Sequence, residues 1–484
     1  MPKGLSTVFY QQLAFWAKAT PTAIASIAAG QRMTYAQALK GVDGLAAHFT
    51  AAGIRPGHRV IVPKVNHITS LLCQFALDKI GAATCILQGD IPDWVDKILA
   101  HRSSDDPRTV LIPRDLRQAP AIDVPVHEWK LTEPCRLKSS SGSTGRIKVI
   151  SRSYGSTVEG TDATQFMMGV RHGMAVASLV SWAGPATTMK TIAWLHGATL
   201  VMPSRDEAIW PLLNEHRVSL LAASPVNLNM AIARGETFER VPGLSIYLFG
   251  GRASPTLVEH YRRHVTEDIV MTYGSTETGS LMMQPLRGMP APQVTLGRVL
   301  PSRVVEVVAA DGQAVPRGQT GLLRLQTRHL RHDGYVREGG VLHPLNEKDR
   351  EWFQPGDLGF IDADGLVHVL GREDDVINMG GGKFLTSDLA DAVERSGLAT
   401  DQAALNVIAS DGPSRACVAV VLKPGVTLAE IRAALKERFK TLNQVHIVPF
   451  AELPYLANGK VDYPQLRESI RAVLDGQGAQ EVVG

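Results

Sequence analysis

The sequence predicts an α/β protein: a large N-terminal part of layered α/β subdomains, then a β-rich subdomain, then a small α/β unit at the C-terminal end. Three observations predict it. Between residues 33 and 249, stretches of helical apolar period alternate with short apolar runs closed by glycine, as strands and helices do in layered folds. Past Gly297 the texture shifts to short strands punctuated by Asp311-Gly312, Arg317-Gly318, Asp333-Gly334 and Asp364-Gly365, all turn signals. After a short charged segment at 371–375, helix and strand patterns resume.

The elements follow in order. Residues 1–20 are amphipathic and lack the basic head and apolar run of a secretory signal. The span 34–52 has apolar residues at helical spacing and stops at Gly53; 59–62 is a short strand. The span 69–80 is helical again, Gly81 closes it, and 84–87 is the next strand. Buried strands are expected at 109–112 and 175–180, a helix at 189–195 ending near Gly197, and strands at 199–202, 219–223 and 244–249. The β-rich part contributes 321–326 and 366–370. In the last unit 404–409 and 416–422 read as strands, and 387–394 and 428–440 as helices.

Composition narrows the class. A chain of 484 residues is expected to hold two or three domains. Fifty basic against 47 acidic residues, a formal charge of +3, argue against a nucleic-acid or membrane surface. No apolar stretch reaches the roughly 18 residues of a membrane span. Cys73, Cys85, Cys135 and Cys417 form no Cys-x-x-Cys pair, which predicts buried free thiols in a reducing, cytoplasmic setting. No metal-ligand spacing is visible among the 15 histidines.

The most informative stretch is Ser-Ser-Ser-Gly-Ser-Thr-Gly-Arg-Ile-Lys at 139–148. Glycines let backbone N–H groups turn toward one point, and hydroxyls add donors, so such a loop can wrap a polyphosphate. The Gly-x-x-x-x-Gly-Lys-Ser/Thr spacing of the common nucleoside-triphosphatase loop is absent. A flexible surface loop is the plain alternative. Three further segments bear on the choice: Thr-Tyr-Gly-Ser-Thr-Glu-Thr-Gly at 272–279, Gly-Asp-Leu-Gly-Phe with Gly-Arg-Glu-Asp-Asp inside 356–375, and Ala-Asn-Gly-Lys-Val-Asp at 457–462.

In this order and at these separations the four segments resemble the adenylate-forming enzymes, which include acyl-CoA synthetases and the adenylation domains of peptide synthetases. The resemblance runs from about residue 33 to about 466. It implies a large adenylation domain, 1–371, that binds acid and ATP, and a small mobile domain, 372–484. Ser140, Gly142, Ser143, Thr144, Gly145 and Lys148 would hold the β- and γ-phosphates. Gly250, Gly251, Arg252, Tyr273 and Gly274 would meet the adenine side of the nucleotide, Tyr273 by stacking. Thr276 would hydrogen-bond the α-phosphate or the acyl carboxylate, and Glu277 would bind Mg²⁺. Asp357 would accept from the ribose hydroxyls, with Arg372 reaching ribose or phosphate. Lys460 would bridge the substrate carboxylate and the α-phosphate as a mobile cation. Asp374 matches the hinge, and Gly380, Gly381 and Gly382 would admit a pantetheine arm. Ile147, Met271, Pro355 and Ala390 depart from the usual pattern.

The acid pocket is expected near Trp182, Ser224, Gly250 and Gly279. Residues 183–186 are Ala-Gly-Pro-Ala, with no acid to meet an α-amino group, so an apolar acyl or aryl carboxylic acid is expected. The implied partners are that small acid, ATP, Mg²⁺ and coenzyme A. A carrier-protein phosphopantetheine is the alternative acceptor, and a non-catalytic nucleotide-binding protein on a degenerate fold is the rival from another class.

Overall fold

The computed structural model describes residues 5–476 except 7, 64–66, 88, 114–121, 142–146, 181–184, 205–206, 252, 290–294, 302, 327–332, 346–350, 380–381, 409, 411–413, 440–444 and 456–460. Among the described residues, strands sort mainly into an eight-stranded sheet, a fourteen-stranded sheet and a three-stranded sheet near the C-terminal end. The chain is thus a mixed α/β protein, as its patterning predicts.

The helices start where local chemistry satisfies their first N–H groups. Thr34 caps Tyr35–Ala51, accepting from the Gln37 N–H at 3.2 Å, while the Gln37 side chain accepts from the Thr34 N–H at 2.8 Å. Ser224 and Ser254 cap Pro225–Ala233 and Pro255–His264, each with proline as the first helical residue. The expected strands at 199–202 and 321–326 appear as Thr199–Met202 and Gly321–Gln326. The amphipathic start becomes the helix Val8–Ala19.

In the large sheet, Ile24–Ala28, Thr199–Met202, Ala175–Ser178, Val218–Ala223, Ser245–Leu248 and Ile269–Ser275 run parallel in that spatial order. At Ile269–Ser275 the sheet changes character: Gly279–Pro285 returns antiparallel, and Thr295–Val299, Val367–Arg372, Asp357–Ile361 and Gly321–Gln326 continue antiparallel. The eight-stranded sheet likewise has parallel strands, including Ala83–Ile86 beside Pro134–Ser141, and then the antiparallel Ile147–Ser153. The Ser/Thr/Gly loop therefore connects two paired strands.

The largest core cluster lies among the helices flanking these sheets and includes Phe75, Trp129, Tyr154 and Trp194. Two smaller clusters contain only residues from Ile377 onward, one around Val418 and Ile431, the other around Leu405 and Leu466. Across from them, Glu394 accepts from Ser254 Oγ at 2.6 Å and from the Thr256 hydroxyl at the start of Pro255–His264. All four cysteines are buried and free. Among the described residues no helix is long and apolar enough to cross a membrane.

Candidate functional site

Three parallel strands deliver candidate residues from their carboxyl ends, where open α/β sheets bind ligands. Val218–Ala223 leads to Ser224, Ser245–Leu248 to Gly250 and Gly251, and Ile269–Ser275 to Thr276 and Glu277. Gly250 sits at φ 81°, a left-handed conformation that glycine adopts without a Cβ penalty. Gly274 is needed for a different reason: a Cβ there would run into the backbone of Gly279 and Ser280 on the returning strand. The turn closes on itself. The Ser275 N–H donates to Thr278 Oγ1 at 3.1 Å, and the Thr278 N–H donates to Ser275 Oγ at 3.2 Å. Thr276 and Glu277 are left half-buried at its tip.

Tyr273, Asp357 and Arg372, drawn from three strands, converge. Asp357 and Arg372 are register partners in neighbouring antiparallel strands, with Arg372 Nε 3.7 Å from Asp357 Oδ1. The Tyr273 hydroxyl donates to Asp357 Oδ2. Burial raises the Asp357 pKa above the usual carboxylate range, against the lowering effects of the Tyr273 hydrogen bond and the Arg372 charge. Burial, and then the Asp357 charge, push the Tyr273 phenol well up, so it stays a donor.

Ser140 and Lys148 face each other in register across the hairpin. Lys148 is exposed, with Nζ 5.6 Å from the centre of the Tyr335 ring. Ser224 Oγ accepts from the Asn227 N–H at 3.1 Å, so it serves as a helix cap beside the expected acid pocket. Gly279 opens the returning strand at φ 65°, and Gly382 begins Gly382–Leu385 opposite Met379. Asp374 is exposed in a short 3₁₀ turn, Glu373–Asp375, and its carbonyl accepts from Asn406 Nδ2 at 3.2 Å. Gly142, Ser143, Thr144, Gly145, Trp182, Arg252, Gly380, Gly381 and Lys460 lie outside the described residues.

One participant escapes the sequence motifs. Arg152, buried on Ile147–Ser153, donates from Nη2 to the Thr276 carbonyl. Burial lowers its pKa to about 10, and the Glu277 charge opposes that shift, so it remains a cation at neutral pH. The available signal is a cation inside an otherwise inward-facing strand directly after the glycine loop.

The donor chemistry suits a nucleotide and a hard cation. Among the described residues no group of three or more His, Cys, Asp or Glu could cage a metal. Mg²⁺ needs no such cage, because it keeps water and phosphate oxygens and takes one or two carboxylates. Glu277, half-buried at the turn tip, fits that demand. A cleft of about 480 Å³ opens nearby, lined by Ser178, Leu179, Met202, Ile209, Asn227 and Met230 among others. Asn227 in its wall follows closely on Ser224, but of the residues expected around the acid pocket Ser224, Gly250 and Gly279 do not line it, and Trp182 lies outside the described residues.

Comparison with known proteins sets this geometry in context. The family model described as "AMP-binding enzyme" matches residues 13–124 and 95–332. The chain is 25% identical to enterobactin synthase component E of Escherichia coli, over 93% of this chain and 92% of that protein. It is 24% identical to 2-succinylbenzoate–CoA ligase of Bacillus cereus, over 91% and 94%. Among solved structures, o-succinylbenzoate CoA synthetase from Bacillus subtilis, in complex with its acyl-adenylate intermediate, superimposes with a TM-score of 0.80 at 19% identity, covering 94% of this chain and 97% of that one. ATP-bound MatB from Rhodopseudomonas palustris gives a TM-score of 0.80 at 18% identity, covering 96% and 99%.

Proposed function

The chain belongs to the AMP-binding enzyme family and is an adenylate-forming ligase, and on that premise we propose that it is an acid–thiol ligase. A carboxylate attacks the α-phosphate of ATP and pyrophosphate leaves; the thiol of coenzyme A then attacks the acyl carbon of the acyl-adenylate, giving up its proton and forming the thioester as AMP leaves. The observation that carries this reading is the convergence of Tyr273, Asp357 and Arg372 on the strand end that presents Thr276 and Glu277.

The chemistry demands positive charge. Two anions must meet, so catalysis rests on cations and N–H donors held ready in place. Glu277 would hold Mg²⁺, which would offset phosphate charge. Asp357, kept in place by the Tyr273 hydroxyl, receives the ribose hydroxyls, since a carboxylate has room for several donors. The ring of Tyr273 offers the adenine a stacking face. Gly250 and Gly274 carry no side chain that would crowd the adenine. Lys148, with Ser140, Ser143 and Thr144, meets the outer phosphates. Thr276 donates to the reacting carboxylate or the α-phosphate.

Lys460 supplies the remaining cation at the attack itself. It comes from the unit 372–484, which pivots at Asp374 relative to 1–371. Separate cores beyond Ile377, and the Asn406 bonds to the Asp374 and Val376 carbonyls, support a pivot that travels with the small unit. After the pivot, Gly380, Gly381 and Gly382 leave room for a pantetheine arm. The acyl part of the acid lies in the cleft beside Asn227, where Leu179, Met202, Ile209 and Met230 offer an apolar acyl or aryl group a surface, and Glu207, Arg234 and Glu236 line the same cleft with charge.

The test is a pyrophosphate-release assay over a panel of acids, with and without coenzyme A. Pyrophosphate and thioester together are expected from at least one apolar or aryl acid. Pyrophosphate without thioester on free coenzyme A reassigns the acceptor to a carrier-protein phosphopantetheine. ATP binding without turnover on any acid refutes the reading.

A further inference from the structure

We propose that Arg152 is a positioning residue of the adenylation half-reaction: carried on the strand that leaves the Ser/Thr/Gly loop, it holds the Thr276–Glu277 turn in the orientation that meets Mg²⁺ and the phosphates. The proposal rests on the adenylating reading above.

The geometry makes Arg152 a tie between the two large sheets. Its backbone belongs to the eight-stranded sheet, and Thr276 follows a strand of the fourteen-stranded one. Its neighbours are already committed. Arg136, its register partner across the hairpin, is locked to Asp78 by two contacts of 2.6 Å. Asp333 accepts from Ser153 Oγ at 3.0 Å and from the Ser153 N–H. Arg152 is 8% exposed, and Glu277 heads the carboxylates whose charge favours its ionised form. A buried cation costs desolvation and persists only where it is matched. Here the contact is the Thr276 carbonyl, and the nearby Glu277 charge favours the cation without pairing with it directly. The Ser275 and Thr278 closure fixes the base of the turn, and the Thr276 carbonyl at its tip is held by Arg152. Arg152 adds a tie to the Thr276 carbonyl through Nη2, a single contact whose reach and direction a shorter lysine ammonium would not reproduce.

Arg152→Met and Arg152→Lys are compared with wild type by titration calorimetry of ATP at graded Mg²⁺, by ATP–pyrophosphate exchange, and by thermal midpoint. Residues that orient a metal ligand are worth about ten- to a hundredfold in affinity or activity. Arg152→Met is expected to need about tenfold more Mg²⁺ for half-maximal ATP binding and to lose at least tenfold in exchange. Arg152→Lys should recover much of the Mg²⁺ dependence but not the rate, and it carries the test if the methionine variant does not fold. An unchanged Mg²⁺ requirement in a folded variant overturns the assignment. So does a lowered requirement, which would make Arg152 a competitor for Glu277 instead of its holder. Wild type without exchange on any acid defeats the functional reading itself; wild-type exchange with indifferent Arg152 variants defeats this assignment alone.

Discussion

Replacing Tyr273 with phenylalanine separates two tasks that one side chain performs. The ring remains to stack, and the hydroxyl that donates to Asp357 is gone. A hydrogen bond to a charged group contributes about 1.5–3 kcal/mol. Arg372 does not replace it, because Nε at 3.7 Å is beyond hydrogen-bond reach and its side chain is 41% exposed to screening solvent. The lower bound of about 1.5 kcal/mol corresponds to roughly tenfold in ATP affinity. A second effect concerns pH. Burial holds the Asp357 pKa up, and the Tyr273 bond is one of the influences pulling it down. Without that bond the carboxyl titrates at a higher pH, so the acid limb of kcat/KM for ATP moves upward. The stability effect has the matching sign. A carboxyl whose folded pKa is raised stabilises below the unfolded value and loses that contribution as pH rises through the folded pKa, and Tyr273→Phe shifts that loss to higher pH. The assay is ATP–pyrophosphate exchange between about pH 5 and 9, with ATP varied at each pH. Tyr273→Leu, which also removes the stacking face, should lose about 1–3 kcal/mol more. An ATP KM within twofold of wild type and an unmoved acid limb in Tyr273→Phe would refute the idea that the Tyr273–Asp357 pair receives the nucleotide.

Lys460→Ala should suppress pyrophosphate exchange strongly yet leave thioester formation from supplied acyl-adenylate largely intact; equal loss of both half-reactions would argue against alternation about Asp374. Gly274→Ala forces a methyl group into the Gly279 backbone, so ATP binding measured by calorimetry should vanish together with a drop in thermal midpoint, whereas Gly243→Ala, with open space around it but strained by its left-handed backbone, should lower the midpoint and spare binding. Lys190 is buried, bonds the Val180 carbonyl at 2.9 Å, and has its pKa lowered by burial to about 7. Between that value and the ordinary lysine range the unfolded chain binds the extra proton, so stability should rise with pH by up to about 1.4 kcal/mol per unit. Lys190→Met should flatten that slope in denaturant titrations at pH 7 and 9.

Much of the fold was legible because its signals are local. Helix 35–51 is announced by Thr34 and Gln37, whose side chains satisfy the first N–H groups whatever the rest of the chain does. Thr199–Met202 is a mostly buried apolar run, Gly321–Gln326 buries only Leu323 and Leu325, and both appear where the patterning puts them. Helix 154–168 has cap residues too, Ser153 and Gly169, but its body hides them. Its sequence, Tyr-Gly-Ser-Thr-Val-Glu-Gly-Thr-Asp-Ala-Thr-Gln-Phe-Met-Met, carries two glycines and three threonines and no apolar stripe, so only its packing reveals it. Strand order was less open to inspection: the hairpin of Asp357–Ile361 with Val367–Arg372 is local and marked by Asp364-Gly365, but its pairing with Thr295–Val299, and through Gly279–Pro285 with the parallel strands, depends on contacts distant in sequence.

The site divides along the same line. Tyr273, Asp357 and Arg372 could be nominated from short motifs, yet nothing in those motifs says that the phenol meets the carboxylate. That contact arises because the large sheet turns antiparallel at Ile269–Ser275 and brings a later hairpin alongside. Arg152 shows the converse. It lies outside the Gly-rich loop, and its partner Thr276 is 124 residues away. A buried cation in a strand reads as an anomaly until the fold supplies a carbonyl to meet it. The two cases share a cause. Reading a nucleotide site from sequence finds the groups that would touch the ligand, because their chemistry is conspicuous. It overlooks groups that touch only those groups, because their requirement is for a partner that folding alone creates. If Arg152 holds the turn through the Thr276 carbonyl, the two sheets are coupled next to Glu277, and a shift of either hairpin against the other displaces the carboxylate that would hold Mg²⁺.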